Sequence, residues 1–392
     1  MMWHVLDARS IWIQEFTSAL SRIVPVLGWI PKFSWTGVTD ARVEERTSTD
    51  PAFRGRVFPL QRGYSRAPIS WLARTGPRLT AMLSDADKES KMSPLVCTTP
   101  YYAPVAELWP GPIVYYQTDL TIAYAGVDPD QVRRLDRRLC VVAHLVCPNS
   151  RRIADYFVRE AGCAPDKILV VPQATRRANI APEPLPEPSP LPADIADLPR
   201  PVLGVMGNLA DNMDWSLLED AVRLTPDFSW AFVGPTNMPI PDLERRGARQ
   251  RLIERTGRIR FTGGKPYGQL QSYARAFNVA ILPYRKHEPT FSGSCTRFYE
   301  HLAACRPIFG TRGFAELMER EPLVQLFDTP EELVTGLEQL RARGMSDGLE
   351  LRRWTASQSE TWEVRAASIV DALAQRLDGE SALQPAAAEV TA

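Results

Sequence analysis

Short apolar runs alternate with stretches of helical periodicity through the second half of this chain. Val202–Met206, Trp230–Val233, Ile259–Thr262, Val279–Leu282, Ile308–Gly310 and Val324–Phe327 read as buried strands. Trp215–Leu224, Tyr267–Phe277, Ser294–Ala304 and Pro330–Arg343 keep apolar residues three or four apart and read as helices. Such alternation predicts an α/β domain with a parallel, doubly wound sheet and ligands at the carboxyl ends of its strands. The first half is less regular. Strands are predicted at Trp3–Leu6, Leu95–Thr98, Ile113–Tyr116, Val141–Cys147 and Ile168–Val171, and helices near Ile11–Val24, Asp130–Leu139 and 151–161. Pro25–Trp35 is apolar but broken by prolines and a glycine, and gives no clear element. His144, inside an apolar strand, reads as a satisfied core residue.

Proline density marks the organisation. Ala181–Pro192 carries a proline at almost every second position and reads as an extended, semi-rigid linker. The expected division is a first domain at 1–174, a linker at 175–200, a second domain at 201–350 and terminal helices at 351–378. A disordered tail is expected at 379–392.

Composition narrows the class. The chain has 392 residues, 44% hydrophobic and 23% charged, which is ordinary for a globular protein of two domains. Lys+Arg and Asp+Glu balance at 46 each, so no global charge argues for nucleic acid. No run approaches the ~18 apolar residues of a membrane span, and the N-terminus lacks the basic start of a secretory signal. Six cysteines without CxxC pairing fit reduced thiols in a cytoplasmic protein, and four histidines without ligand spacing predict no metal site.

One local imbalance stands out. Between 51 and 84 lie Arg54, Arg56, Arg62, Arg66, Arg74 and Arg78, interleaved with Phe53, Phe58, Tyr64 and Trp71. This basic, aromatic insertion fits an anionic membrane surface at the inner face of the membrane. It equally fits a solvated loop whose arginines pair with acids elsewhere.

Residues 279–309 concentrate the candidate chemistry. A strand closing at Pro283 leads through a polar loop, with Ser292, Gly293 and Ser294, into a helix that Ser294 would cap. Free backbone N–H groups and the helix dipole favour an anion there. Arg285, Lys286 and Arg297 add cations, and Glu300 lies one turn beyond Arg297, where a carboxylate suits vicinal hydroxyls. Gly207-Asn208, ending the first strand of this half, lets backbone approach a phosphate. The arrangement suggests a nucleoside diphosphate. The other reading is a surface loop in which Arg297 and Glu300 pair with each other.

Ser294-Cys295-Thr296-Arg297-Phe298-Tyr299-Glu300-His301-Leu302-Ala303-Ala304-Cys305-Arg306-Pro307 resembles the donor-binding helix of GT-B glycosyltransferases, specifically the retaining family-4-like group. Tyr115–Asp119, Cys147–Arg151, Gly204–Leu209, Phe261–Leu270 and Glu360–Ala366 resemble further segments of that group in the same order, so that the likeness spans residues 95–375. It implies two Rossmann-like doubly wound domains facing a cleft, with a C-terminal helix crossing back to the first. By the match Glu300 implies a ribose-binding carboxylate, Arg297 a phosphate contact and Gly263–Lys265 a turn near the nucleobase. Asp119 is the candidate for positioning the acceptor. Ser292 stands where the family has a second glutamate, and His144 where it usually has aspartate.

The implied activity is sugar transfer from a nucleoside-diphosphate sugar to a glycan or lipid-linked acceptor hydroxyl, without a metal or further cofactor, in bacterial polysaccharide or lipid-linked glycan synthesis. A sugar-nucleotide epimerase and a non-catalytic GT-B scaffold are the alternatives, the latter supported by Ser292.

Overall fold

The computed structural model describes residues 1–33, 55–60, 69–86, 92–288 and 290–383. Phe53, Arg54, Arg62, Tyr64, Arg66 and the tail beyond 383 lie outside the described residues, as do the side chains of Trp71 and Arg74. The chain divides into two compact units. One comprises Met1–Pro172 and the chain from Trp362, and the other Gln173–Thr361.

In the first unit six parallel strands, β1 (Trp3–Leu6), β2 (Val26–Phe33), β3 (Gly55–Leu60), β4 (Leu95–Cys97), β5 (Ile113–Gln117) and β6 (Leu145–Pro148), form a sheet in the order β3-β2-β1-β4-β5-β6. The order reverses between β1 and β4, as in any doubly wound sheet. Helices start where short polar side chains accept the first free N–H groups. Ser10 accepts from Ile13, Asp128 from Asp130 and Gln131, and Ser150 from Ile153. The last helix, Trp362–Leu383, belongs to this unit, where Glu363 pairs with Arg22 and Arg365 donates to the Pro172 carbonyl.

Several expectations need correction. Val141 and Val142 end the helix Pro129–Val142, so the strand begins only at Leu145. Ile168–Val171 makes no strand beyond an isolated bridge from Ile168 to Val146. Apolar Pro25–Trp35 holds β2, and part of the basic stretch is regular structure, β3 and the helix Ile69–Ala86. Within it Phe58 and Leu60 are buried while Arg56 and Val57 face solvent.

The second unit repeats the plan. Strands β7 (Val202–Met206), β8 (Ser229–Val233), β9 (Ile259–Gly263), β10 (Val279–Leu282), β11 (Ile308–Gly310) and β12 (Gln325–Leu326) are all parallel in the order β12-β11-β10-β7-β8-β9. Every residue of β7, β8 and β10 is buried, which is why they read as unbroken apolar runs rather than alternating ones. A helix between β8 and β9, Leu243–Glu254, went unread because only Ala248 and Leu252 of it are buried.

The proline-rich segment is no free linker. Buried Arg306 donates to the carbonyls of Leu185 and Pro186, Trp354 Nε1 donates to that of Ala181, and Ser189 N to that of Arg275. Likewise the helix Glu350–Ser357 stays in the second unit, because Arg353 is buried there on Asp347 and the Leu323 carbonyl. Among the described residues no helix is long and apolar enough to cross a membrane.

Among the described residues, buried Asp136 of the first unit has tyrosine hydroxyls rather than a cation as its hydrogen-bond donors. Asp136, 1% exposed, accepts from the hydroxyls of Tyr115 and Tyr156, both at 2.6 Å. Desolvation pushes it up to about 6, against the opposing pull of the two tyrosines and of Arg133. A carboxyl with a raised folded pKa binds more protons folded than unfolded between its two pKa values. It therefore contributes stability that is full below the unfolded value and is lost as pH rises through 6. Asp136→Asn keeps partners for both hydroxyls without the charge. Denaturant unfolding at pH 4.5 and 7.5 is expected to show the variant gaining about 2 kcal/mol on the wild type at the higher pH. An equal difference at both pH values would place Asp136 at an ordinary pKa.

Candidate functional site

Strand order in the second unit reverses between β7 and β10, and the loops after these two strands are stitched together. Met213 and Tyr284 form an antiparallel bridge. Asp214 N donates to the Pro283 carbonyl at 2.7 Å and Arg285 N to that of Asn212 at 3.0 Å. The Arg285 guanidinium completes the clasp, with Nε on the Asp211 carbonyl at 2.6 Å and Nη2 on the Asp211 carboxylate at 2.5 Å. Arg245, from the helix Leu243–Glu254, takes the other carboxylate oxygen at 2.9 Å. Desolvation opposes the Asp211 charge, but the two arginines hold it below the usual carboxylate range. Asp214 then caps the helix Trp215–Leu224.

Backbone comes unusually close at the carboxyl end of β7. Gly207, at φ 130°, donates to the Val233 carbonyl at 3.0 Å. Gly234, at φ 156°, lies so near that a Cβ on it would stand 1.7 Å from the Gly207 carbonyl oxygen. A Cβ on Gly207 would in turn meet Arg297 Nε at 3.3 Å. Two of the predicted residues, Gly207 and Arg297, are thus in direct apposition.

The helix carrying Arg297 spans Thr296–Ala304, two residues shorter than predicted, and Ser294 does not cap it. The carboxylate of Glu316 does that work instead. It accepts from Cys295 N at 2.8 Å and from the Ser294 hydroxyl at 2.9 Å, and from Tyr299 and Arg320. The Ser294 hydroxyl accepts in turn from Gln173 N at 3.0 Å. An anion therefore already sits at this helix N-terminus, and it is a side chain of the chain itself.

Arg297 and Glu300 form an ion pair, their side chains 11% and 2% exposed. Burial works against the Arg297 charge, yet Glu300, Tyr267 and Tyr284 hold its pKa above the ordinary arginine value. The pairing of these two residues with each other is what the structure contains. The remaining predicted cations are also engaged. Lys286 Nζ lies 4.6 Å from the Phe291 ring centroid, and Lys265 pairs with Asp194 at 2.7 Å. Asp194 also accepts from Tyr273, so Lys265 is tied into the proline-rich segment rather than left as a solvated loop lysine.

Asn208 is exposed beside the clasp and Ser292 is buried. Gly293 N donates to the Thr290 carbonyl at 3.1 Å, and Gly263, at φ 72°, ends β9. Asp119 belongs to the first unit, after β5. It is solvent-exposed and accepts from the Thr118 hydroxyl at 3.4 Å. Within the second unit the structure groups Gly207 with Arg297 and Glu300, and Arg285 with the clasp.

Sequence reasoning missed Glu316, Asp211, Arg245 and Arg176, whose guanidinium lies 4.7 Å from the Tyr267 ring centroid. None of the four has a spacing signal linking it to Arg297 or Arg285. Among the described residues no group of three or more His, Cys, Asp or Glu could hold a metal ion.

Gly234→Ala tests the close approach. It should destabilise the second unit by roughly 2–4 kcal/mol in urea unfolding, because either φ or the Gly207 carbonyl must give way. An unchanged midpoint would mean that the turn opens freely.

No protein-family model matches the chain. A Bacillus subtilis protein, TuaH, described as a teichuronic acid biosynthesis glycosyltransferase, is 21% identical over 166 residues. That match covers 41% of this chain and 40% of TuaH, well under half the length of the curated relative. Among solved structures, sucrose-phosphate synthase from Thermosynechococcus elongatus superposes with a TM-score of 0.70 at 15% identity, covering 97% of this chain and 100% of that one. Anabaena HepE in complex with UDP-glucose gives 0.60 at 15%, covering 98% and 100%. A Listeria monocytogenes protein named as a UDP-N-acetylglucosamine 2-epimerase gives 0.61 at 11%, covering 96% and 97%. Likeness at such identities establishes architecture, and the architecture is the GT-B fold, with two Rossmann-like, doubly wound parallel sheets.

Proposed function

We propose that this chain is a glycosyltransferase that moves a sugar from a nucleoside-diphosphate sugar to an acceptor hydroxyl. The observation carrying the reading is the Arg297–Glu300 pair lying against Gly207 at the switch point of a GT-B sheet. There a diphosphate would take Arg297, with Arg285 beside the neighbouring loop, and a ribose diol would take Glu300. In the reaction the bond from the sugar anomeric carbon to the diphosphate breaks while the acceptor oxygen bonds to that carbon. Negative charge builds on the leaving diphosphate, and fixed cations that meet it lower the barrier. Arg285 and Arg297 suit that role without a metal.

The acceptor proton goes to the leaving phosphate in a retaining mechanism, with Asp119 orienting the acceptor. UDP-glucose bound to HepE supports a sugar nucleotide as donor, and the likeness to TuaH supports an acceptor in bacterial polysaccharide or lipid-linked glycan synthesis. Epimerisation of a sugar nucleotide is the second reading, permitted by Ser292 in place of a glutamate and favoured by the Listeria neighbour.

Calorimetry with UDP, GDP, dTDP and ADP tests the donor site. One diphosphate is expected to bind, and Arg297→Ala and Glu300→Ala should each weaken it at least about 10-fold, as for loss of a charged hydrogen bond. Binding that survives both substitutions would overturn the site. Sugar nucleotide converted to its epimer, with no release of nucleoside diphosphate, would favour the second reading.

The basic stretch, with Arg56 and Val57 exposed on an edge strand, supports a peripheral position on an anionic inner membrane face. The protein should co-float with vesicles containing anionic lipid at low ionic strength and be released as salt rises. Failure to float at low salt would sink this part of the reading.

A further inference from the structure

Arg297 and Glu300 are buried together as an ion pair. A buried pair of this kind behaves asymmetrically. Removing or diverting one member leaves the other as an uncompensated charge, which costs far more than the intact pair contributes. An anion alone, docking on Arg297, draws the guanidinium from Glu300 and strands a carboxylate that is 2% exposed. A diol alone, donating to Glu300, competes with Arg297 for the same oxygens. Only a ligand bringing both groups exchanges one satisfied set for another. Gly207 leaves room for the guanidinium, since a Cβ there would stand 3.3 Å from Arg297 Nε, while Nη1 meets Glu300.

We propose that the Arg297–Glu300 ion pair is a specificity filter: the site accepts an anion and a vicinal diol together and discriminates against either alone. The inference rests on the donor-site reading above and sharpens it. Inorganic pyrophosphate and free nucleosides, each half of the ligand, would bind poorly because each must displace one member of the pair without compensating the other. The nucleoside diphosphate would bind better than the two halves suggest.

The test uses inorganic pyrophosphate and uridine as separate probes of the full chain by calorimetry. In the wild type, saturating pyrophosphate should tighten uridine binding about 5-fold or more, the scale of an ordinary coupling between sites. In Glu300→Gln, where Arg297 has lost this carboxylate, pyrophosphate should bind at least about 5-fold tighter than in the wild type while UDP binds more weakly. The variant therefore moves the two ligands in opposite directions, which damage to the fold would not do. Independent binding of the halves in the wild type, or unchanged or weaker pyrophosphate binding in the variant, overturns the filter. The wild-type titration decides alone if the variant does not fold. Tighter pyrophosphate binding in the variant, with no nucleoside diphosphate bound by either protein, supports the ion-pair argument and overturns the transferase reading instead.

Discussion

The second unit depends on how little room there is where β7 and β8 end. Gly234 has no space for a Cβ, because the Gly207 carbonyl occupies that place. This proximity lets the Gly207 N–H reach the Val233 carbonyl, so the chain leaves β7 in a conformation that L side chains rarely adopt. Backbone rather than side chain then lies beneath Arg297. From there the loop crosses toward β10, where the bridge of Met213 to Tyr284 and the Asp211 clasp fix it. A doubly wound sheet opens a crevice wherever its winding reverses. Here the crevice is framed by groups hydrogen-bonded to one another.

Within that frame, charge is matched almost residue by residue. Arg297 has Glu300, and Arg285 and Arg245 share Asp211. Arg320 lies between Glu316 and Glu360, and buried Arg353 has Asp347. Arg306 is the contrast, with three backbone carbonyls and, among the described residues, no carboxylate in hydrogen-bonding contact, and burial lowers its pKa. Desolvating a cation is expensive unless its donors are used. The cations that made the sequence look like an open anion site are thus already engaged in the folded chain. Ligand recognition here is an exchange of partners, and its affinity is a difference between two satisfied states.

That distinction also explains what could be read in advance. Val202–Met206, Trp215–Leu224 and Val279–Leu282 were legible to the residue, because full burial leaves an unbroken apolar run or a clear helical stripe. β2 was hidden by Gly28 and Pro31, and the helix Leu243–Glu254 by its scarcity of buried residues. Arg297 and Glu300 could be singled out as neighbours on one helix face, where spacing alone brings them together. Glu316 and Asp211 could not. Each reaches its partner through the path of a loop, and Glu316 takes over the cap that Ser294 seemed placed to provide. Local sequence reports which groups are charged, while tertiary closure decides which of them compensate one another.

The residue after Glu300 completes the electrostatic argument. His301 is fully buried, and neither ring nitrogen has a hydrogen-bond partner among the described residues. Desolvation, with Arg297 adding its positive field, pushes its pKa down to about 3. It therefore stays neutral throughout the physiological range, although histidine is the side chain most ready to change charge there. Residues one apart on a helix do not face each other, and the neutral imidazole adds no charge of its own next to the Arg297–Glu300 pair. His301 packs instead against Phe277, with ring centroids 6.3 Å apart. The cation paired with Glu300 is then Arg297, until a ligand brings a further partner.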